Sequence, residues 1–471
     1  MRTNVLSILS VGFLWLPLAV ASPKDGQGSL RVGFGEVDIT PAISKSKPVY
    51  MAGFGQNRIA TGVLDPLKAR AIVFEDGKST IAMVSLDLVG LSYGTTLSVR
   101  KRLADFSYVL VSCTHDHEGP DTIGLWGPSP FKSGVDHDYI QLVEDKIVQA
   151  VQEAKKNMKP ASAHIGTAQN GALLHDSREP FVKHDELVAL RFSEAGNQEP
   201  LGLLVQWNCH PETLADKNTR LSADFVASAV RTLADKYHCP VIYFTGTVGG
   251  LMTSLNLSIK DDNGKELLGG SVEKTTQYGK NIAWLAVTAL TNSKPVVLTP
   301  LAAQHMDVFL PLDNRQFLMA RQLGLLVRDT FVWNDDWRKA EPLTAGKAPK
   351  RIALRTEVGW LHLGQLEIAL IPGEIYPELV LDKVQDPVDP GADFPEAPVE
   401  PSIYKQFSSP YHMIVGLAND EVGYIIPKRQ WDEKPPFCYG RKKAQYGEGN
   451  SLGPDTAPLL CNAFRELVKG K

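Results

Sequence analysis

The most informative segment of the chain is Tyr108-Val-Leu-Val-Ser-Cys-Thr-His-Asp-His-Glu-Gly-Pro120. Its first five residues predict a buried β-strand, and a loop with two histidines follows directly. Loops at strand ends of α/β sheets are where ligands usually bind, because the rigid sheet holds them in place. If the backbone of this loop is extended, His115 and His117 project to the same side. The stretch therefore indicates an α/β sheet with a site at a strand end.

Strand-like and helix-like segments alternate along the rest of the chain. Apolar runs predict strands at 69–74, 80–86, 187–192, 202–207, 242–245, 352–361 and 366–371. Apolar residues at helical spacing predict helices over 140–154, which Pro160 ends, and 226–237, which Ser222 or Asp224 would cap. We expect an α/β layered fold with mixed β-sheets flanked by helices. The segment 385–402 is rich in Pro and Asp and is interpreted as a long loop within one domain, because strand-like sequence resumes at 413–417.

Length and composition are those of a globular protein. The chain has 471 residues, of which 43% are hydrophobic and 22% are charged, so it can bury a large core and is not disordered. Its net charge is −4, and no basic stripe is present, which argues against a nucleic-acid partner. Charge and composition leave the oligomeric state open.

The N-terminus predicts export. Arg2, an apolar run over 5–18 and Ala19-Val20-Ala21 have the pattern of a cleavable signal peptide, which we assign to residues 1–21. The run is shorter than the roughly 20 residues of a membrane-spanning helix, and no later segment is long enough to span. We expect a secreted or periplasmic protein. Its five cysteines leave at least one free thiol, and a bridge between Cys438 and Cys461 stays open.

Three more strand-like segments also end in groups that bind metals. His210 follows the strand at 202–207, Glu374 follows that at 366–371, and Tyr424 comes after that at 413–417. Two His and one carboxylate with an open position form a catalytic zinc set, which lowers the pKa of water to about 7 and polarises a carbonyl. Taken singly, Tyr424 is typical of a core residue and Pro-Gly-Glu374 of a turn. Cys113 and Cys209, which lie beside the histidines, are other possible ligands, although free cysteines are more often small buried residues.

The same residues resemble the neutral/alkaline non-lysosomal ceramidase family, in its N-terminal catalytic domain. The similarity includes Val32-Gly-Phe-Gly-Glu-Val-Asp38-Ile-Thr-Pro41, Thr114-His115-Asp-His117-Glu-Gly119-Pro120, Pro372-Gly373-Glu374 and Gly416-Leu417-Ala-Asn419. Members of this family are zinc-dependent amidases that cleave the N-acyl bond of ceramide. The resemblance therefore implies a hydrolase of sphingolipid metabolism with a ceramidase-like catalytic-domain fold.

The resemblance also assigns roles to individual residues. It implies four Zn²⁺ ligands: His115, His210, Glu374 and Tyr424. His117 would lie beside the substrate carbonyl as an acid/base or oxyanion partner. Arg178, in Asp-Ser-Arg178-Glu-Pro, resembles a substrate-facing arginine of the family, and with Tyr424 it would steady developing charge.

Two departures from the family concern the substrate. Where the family has G-D-x-S-P with a catalytically important Ser, this chain has Gly246-Thr-Val-Gly-Gly-Leu-Met-Thr253, which places Met252 at the Ser position. Thr253 or Ser254 could supply the hydroxyl, and the sequence does not decide this. The chain also leaves no room for the family's C-terminal β-sandwich, so residues 22–471 are expected to form a single catalytic domain.

We therefore expect an exported zinc-dependent amidohydrolase that cleaves an N-acyl bond of a small-molecule or lipid substrate by zinc-activated water. One alternative is a zinc hydrolase of another amide or an ester, such as an acylated amino sugar or a peptide-like compound. The other is a binding module that retains the metal and has lost catalysis.

Overall fold

The structure is a computed structural model that describes residues 29–344 and 349–470. The predicted signal peptide lies outside these residues. The described residues form seven α-helices: α1 Tyr93–Arg102, α2 His137–Lys156, α3 Asp224–Tyr237, α4 Val272–Thr291, α5 Arg315–Gln322, α6 Pro377–Leu381 and α7 Thr456–Lys469. None of them is long and apolar enough to cross a membrane.

The described residues also form twenty-one β-strands. In chain order these are β1 Arg31–Asp38, β2 Gly62–Val63, β3 Lys68–Glu75, β4 Thr80–Leu86, β5 Tyr108–Cys113, β6 Lys159–Gln169, β7 His175–Asp176, β8 Glu186–Glu194, β9 Pro200–Trp207, β10 Arg220–Leu221, β11 Val241–Thr245, β12 Met252–Thr253, β13 Lys294–Val296, β14 Leu301–Pro311, β15 Thr330–Val332, β16 Glu341–Pro342, β17 Ile352–Leu363, β18 Leu366–Leu370, β19 Glu374–Ile375, β20 Tyr411–Val415 and β21 Tyr424–Ile425.

Two large mixed sheets organise the molecule. The first has the order β11-β9-β8-β6-β1-β3-β4-β5, with β13 added beside β6. Its pairs are antiparallel except β4 with β5 and β9 with β11. The second has the order β16-β15-β17-β18-β20, with β14 beside β17, and its one parallel pair is β18 with β20. The parallel pairs matter for function because their carboxyl ends meet.

The two sheets pack face to face, with helices on both outer faces. Phe34, Phe74 and Phe192 of the first sheet share an apolar cluster with Leu361 and Ile368 of the second. The phenylalanine rings lie 5.7–5.9 Å apart, centroid to centroid. Helices α1 and α2 pack on one half of the first sheet, α3 and α4 on its other half, and α7 on the outer face of the second sheet. The order of layers is therefore helix, sheet, sheet, helix.

The predicted α/β layered fold with mixed sheets is confirmed, and it differs from the prediction in detail. Strand β4 has the predicted bounds, and β3, which covers the strand predicted at 69–74, pairs with it antiparallel. Ala223 is the N-cap of α3, although Ser222 Oγ accepts a hydrogen bond from the Asp224 amide 3.0 Å away. Residues 385–402 contain no helix or strand, as predicted for a loop.

All five cysteines are buried and free, so no bridge joins Cys438 to Cys461. Hydrophobic packing and hydrogen bonds therefore hold the described fold together without disulfides.

Candidate metal centre and active-site cavity

The predicted site residues come together where strands of both sheets end. His115 and His117 follow β5, and His210 follows β9. Glu374 and Tyr424 begin β19 and β21, which pair in parallel with these two residues opposite each other. The two sheets are joined at this point, because the Gly416 amide donates to the Thr245 carbonyl at 2.9 Å and Thr245 Oγ1 donates to the Thr114 carbonyl at 2.7 Å.

Three buried imidazoles form the centre of the site. The ring centroid of His115 lies 4.9 Å from that of His117 and 4.8 Å from that of His210. One ligand atom from each of the three rings falls within 4.8 Å of the others. This set is close enough to hold one metal ion.

Main-chain carbonyls fix the orientation of two of these rings. His115 Nδ1 lies 2.8 Å from the Val89 carbonyl oxygen, and His210 Nδ1 lies 2.9 Å from that of Met252. A carbonyl oxygen can only accept a hydrogen bond, so Nδ1 carries the proton in both rings. This leaves Nε2 free in each ring, which is the arrangement typical of metal-ligating histidines.

The carboxylate of Glu374 faces both free nitrogens. Its Oε2 lies 2.9 Å from His210 Nε2 and 3.3 Å from His115 Nε2. Burial disfavours both charged groups, but the attraction between them raises the pKa of His115 to about 9 and lowers that of Glu374. Three acceptors at these distances repel one another unless a positive charge lies among them, either an added proton or a cation. The donor set therefore fits a metal ion.

Tyr424 completes the cluster. Its hydroxyl lies 3.4 Å from His210 Nε2, and the side chain is buried. Burial raises the pKa of the phenol, and the nearby Glu374 raises it further. Tyr424 therefore has a hydroxyl within reach of the same point as the histidines.

The third imidazole, that of His117, has a different surrounding. Its Nδ1 lies 3.4 Å from Glu212 Oε2 without a formed hydrogen bond, and Glu212 Oε1 also has no partner among the described residues. Phe54 packs edge-on against the ring at 5.4 Å, and a Cβ at Gly53 would come within 2.3 Å of His117 Cγ. Burial lowers the pKa of His117 to about 4. The close backbone at Gly53 thus fixes the ring, and burial keeps it neutral.

The backbone that presents the histidine pair is not extended. His115 has φ +66°, in the left-handed region that non-glycine residues rarely adopt. The extended backbone on which the prediction for the two rings depended is therefore not present, although the rings are neighbours. The Val89 hydrogen bond and the surrounding core hold this conformation, and such strain is concentrated at functional sites.

A cavity of about 630 Å³ opens onto the cluster. His115, His117, Glu374 and Tyr424 line it, whereas His210 is fully buried and is not part of its wall. Much of the rest of the wall is apolar and includes Phe54, Leu91, Trp126, Phe317, Leu325 and Leu354. The polar cluster therefore lies beside a space suited to an apolar or amphiphilic ligand.

Arg178 lies outside this cavity, and its predicted role facing the substrate is corrected. Its two terminal nitrogens donate to both oxygens of Glu448 at 2.7 and 2.8 Å. They also donate to the carbonyls of Tyr446 and Gln430. The side chain is 3% exposed, so its charge is already neutralised in the interior. Arg178 is a structural ion-pair residue here.

The hydroxyls and thiols left open by the sequence do not enter the cavity either. Thr253 Oγ1 accepts from the Leu255 amide at 3.0 Å, and Ser254 Oγ bonds the Thr213 hydroxyl at 2.6 Å. Neither residue lines the cavity. Cys113 and Cys209 are buried and stand outside the three-histidine set.

Three polar residues of the site were not predicted from the sequence. Glu212 stands two positions after His210, in His-Pro-Glu, and this proximity was the available signal. Glu421 and Arg321 line the cavity, but no local pattern marks them. Their placement depends on how the second sheet and α5 pack on the first, which is a tertiary property.

The fold and the cluster define an α/β protein with a histidine–carboxylate centre between two sheets. Residues 30–247 match the sequence profile of the family described as "Neutral/alkaline non-lysosomal ceramidase, N-terminal". Residues 30–247 are thus similar to the N-terminal segment of that family, and the resemblance expected from the motifs is confirmed.

Solved structures show the same fold over nearly the whole chain. Neutral ceramidase from Pseudomonas aeruginosa is similar with a TM-score of 0.70 and 17% identity, covering 93% of this chain and 74% of that one. A structure titled "Ceramidase complexed with C2" gives a TM-score of 0.68 and 16% identity, over 93% and 75%. No curated protein sequence matches the chain.

Proposed function

We propose that the chain is an exported, zinc-dependent hydrolase that cleaves the N-acyl amide bond of a lipid-like substrate. The observation that carries this proposal is the position of Glu374 Oε2, which lies within 3.3 Å of Nε2 of both His115 and His210. The other ring nitrogen of each histidine, Nδ1, is already hydrogen-bonded to a main-chain carbonyl. The family match of residues 30–247 supports the same chemistry.

The proposed ligands are His115, His210, Glu374 and Tyr424. Two imidazoles, a carboxylate and a phenol are nitrogen and oxygen donors, which suit zinc better than calcium or magnesium. When bound, zinc lowers the pKa of water to about 7 and polarises a carbonyl, as amide hydrolysis requires.

His117 is the proposed acid/base residue. With Nδ1 turned towards Glu212, its Nε2 is the nitrogen left to exchange a proton with the reacting groups. It would accept a proton from the attacking water and return one to the leaving amine. Tyr424 would donate a hydrogen bond to the oxygen on which negative charge develops. Arg178 has no part in this scheme, because its donors are used by Glu448 and two carbonyls.

The substrate is proposed to be an N-acyl lipid, with ceramide-like sphingolipids as the first class to test. Apolar walls in a cavity of about 630 Å³ support an acyl chain. We also propose that residues 22–471 act as one catalytic domain after removal of residues 1–21.

A second candidate is hydrolysis of a different amide or of an ester. Met252 stands at the position of the family's Ser and is fully buried, and neither neighbouring hydroxyl reaches the cavity. The catalytically important Ser of the family therefore has no counterpart at this position, while the residues proposed to bind the metal are present. A binding module without catalysis remains the third outcome of the experiment.

The test combines metal analysis with product analysis. Purified protein is expected to hold one zinc per chain and to release fatty acid from a panel of N-acyl lipids, N-acyl sugars and esters. His210→Ala should lose the metal and lower kcat by at least about 100-fold, since even partners outside the first coordination shell are worth about 10–100-fold. His362→Ala, a histidine stacked on Trp360 in β17, is the control. A wild-type protein without zinc, or a variant with unchanged activity, would contradict the mechanism. Metal and bound ligand without turnover would indicate the binding module.

A further inference from the structure

Two arginines line the cavity, and only one of them has a carboxylate partner among the described residues. Arg328 forms an ion pair with Asp420 and donates to the Glu421 carbonyl. Arg321, on the last turn of α5, donates from Nη2 to Thr330 Oγ1 at 2.8 Å. No carboxylate of residues 29–344 and 349–470 lies within ion-pair distance of its guanidinium, so Arg321 brings an uncompensated positive charge to the cavity.

This lack of an ion-pair partner contrasts with three arginines that turn inward. Arg178 is neutralised by Glu448, Arg100 by Glu357, and Arg351 by Asp313 and Asp455. Removing a guanidinium from water costs free energy unless an anion compensates it. Because Arg321 is half-buried and lines the cavity, an anionic group of a bound ligand would supply this compensation.

The surroundings of Arg321 favour a strong interaction with a ligand anion. Phe317, Leu325 and Leu326 line the same cavity from the segment around it, and such apolar walls lower the local dielectric constant. Thr330 uses one of the five N–H donors of the guanidinium. The remaining planar fork is free to bind two oxygens of one anionic group at once.

We propose that the substrate is an N-acyl amide that carries an anionic group, and that Arg321 binds this group and determines specificity. The proposal rests on the proposed amide hydrolysis. Water adds across the amide, with its OH joining the acyl carbon and its proton going to the nitrogen as the C–N bond breaks. The anionic group is unchanged in the products. An N-acyl amino acid has the required combination of an apolar chain, an amide and a carboxylate.

The experiment compares three palmitoyl amides on the zinc-loaded protein: palmitoylglycine, with a carboxylate, palmitoyltaurine, with a sulfonate, and the neutral palmitoylethanolamide. A charge-assisted hydrogen bond is worth enough to change binding about 10- to 100-fold. We expect wild-type kcat/KM for the better anionic amide to exceed that for the neutral one by at least about tenfold. Arg321→Gln should reduce this ratio to near one, chiefly through KM. Arg315→Gln, an exposed arginine at the start of the same helix and outside the cavity, should keep the wild-type ratio.

If wild-type protein cleaves the neutral amide with the same kcat/KM as both anionic amides, the inference is overturned, but the proposed function still stands. The same holds if Arg321→Gln lowers all three rates equally. If no amide is cleaved, the proposed function fails, and calorimetry on metal-free protein decides the inference separately. About tenfold tighter binding of an anionic amide, lost in Arg321→Gln, supports it, and equal binding of charged and neutral amides overturns it.

Discussion

At the scale of single residues, the neighbours of the three imidazoles determine what each ring can do. His115 and His210 give their Nδ1 protons to carbonyls, whereas His117 turns Nδ1 towards the carboxylate of Glu212. A carboxylate in this position fixes the orientation of the ring and stabilises it when it takes up a proton. Glu212 is therefore a positioning residue that acts through His117.

Replacing Glu212 by Gln should leave the zinc in place and lower kcat by about 10–100-fold, because His117 loses the charge that orients it. Zinc content and kcat are measured together on the same preparations. Glu199→Gln, an exposed glutamate beside β9, is the control and should change neither. Loss of zinc from the Glu212 variant would show that this carboxylate acts on the metal set instead.

Arg178 provides a prediction of the opposite kind. Arg178→Met leaves the buried Glu448 without its partner, so we expect the free energy of unfolding to fall by about 3–5 kcal/mol. The remaining folded protein should keep its activity, since the guanidinium does not line the cavity. Urea unfolding of Arg178→Met, Glu448→Met and the double variant gives the interaction free energy between the two side chains. The exposed pair between Arg102 and Asp145 should cost no more than about 1 kcal/mol when broken.

Four site residues could be predicted from the sequence because they follow closely on a strand: His115, His117, His210 and Glu374. Tyr424 lies farther from the end of β20 and was predicted only through the family resemblance, and the structure places all five in one cluster. Arg178 was misplaced because the buried Glu448 lies 270 positions away and no local pattern shows their pairing. The left-handed backbone conformation of His115 could not be predicted from the sequence either, since it depends on the Val89 carbonyl and the surrounding core.

At the scale of elements, Glu357 of β17 connects the two sheets. It accepts hydrogen bonds from Arg100 of α1 at 2.7 and 2.9 Å, from Tyr108 of β5 at 2.7 Å, and from Asn419 at 3.0 Å. Asn419 lies in the loop that leads to Tyr424, and its own Oδ1 accepts from the Val111 amide. This carboxylate therefore helps to hold the Tyr424 loop against β5.

The pKa of Glu357 gives a pH prediction. Burial alone would raise it, but His305 and Arg100 lower it to about 2, below its unfolded value of 4.5. The stabilisation from the ionised carboxylate is therefore present above about pH 4.5 and is lost as the pH falls through about 2. Unfolding free energies measured between pH 5 and 2 should fall less steeply in Glu357→Gln, by on the order of 3 kcal/mol over the range. Equal slopes would mean that the network contributes nothing to acid sensitivity.

Several elements with a strong local pattern were predicted from the sequence, although helices α4 and α7 were not. The continuous apolar runs of β4 and β9 predict strands, and the amphipathic spacing of α2 predicts a helix. Strand β6, with the sequence KPASAHIGTAQ, was missed because Pro, Ala, Ser and Gly have low β-propensity. Its pairing with β1, β8 and β13 supplies what its own residues do not. The division of the strands into two sheets likewise depends on pairings distant in sequence.

At the scale of the whole molecule, the residues of the proposed metal centre come from both sheets. His115 and His210 come from the first sheet, and Glu374 and Tyr424 follow strands of the second. An ion bound only by the native state stabilises it according to its free concentration. Zinc at about 100 times its Kd should raise the free energy of unfolding by about 2.7 kcal/mol at 25 °C, and a chelator should reverse this. Calorimetric unfolding of wild type and His210→Ala tests it, because the variant should not respond to zinc.

The position of Tyr424 late in the chain has a consequence for biosynthesis. The ribosome delivers His115 and His210 long before Glu374 and Tyr424, and the second sheet cannot close over the first until β20 has emerged. A nascent chain that has not yet reached Glu374 therefore holds only the two histidines of the proposed metal site. The proposed hydrolysis would begin only after Tyr424 has emerged and the second sheet has closed over the first.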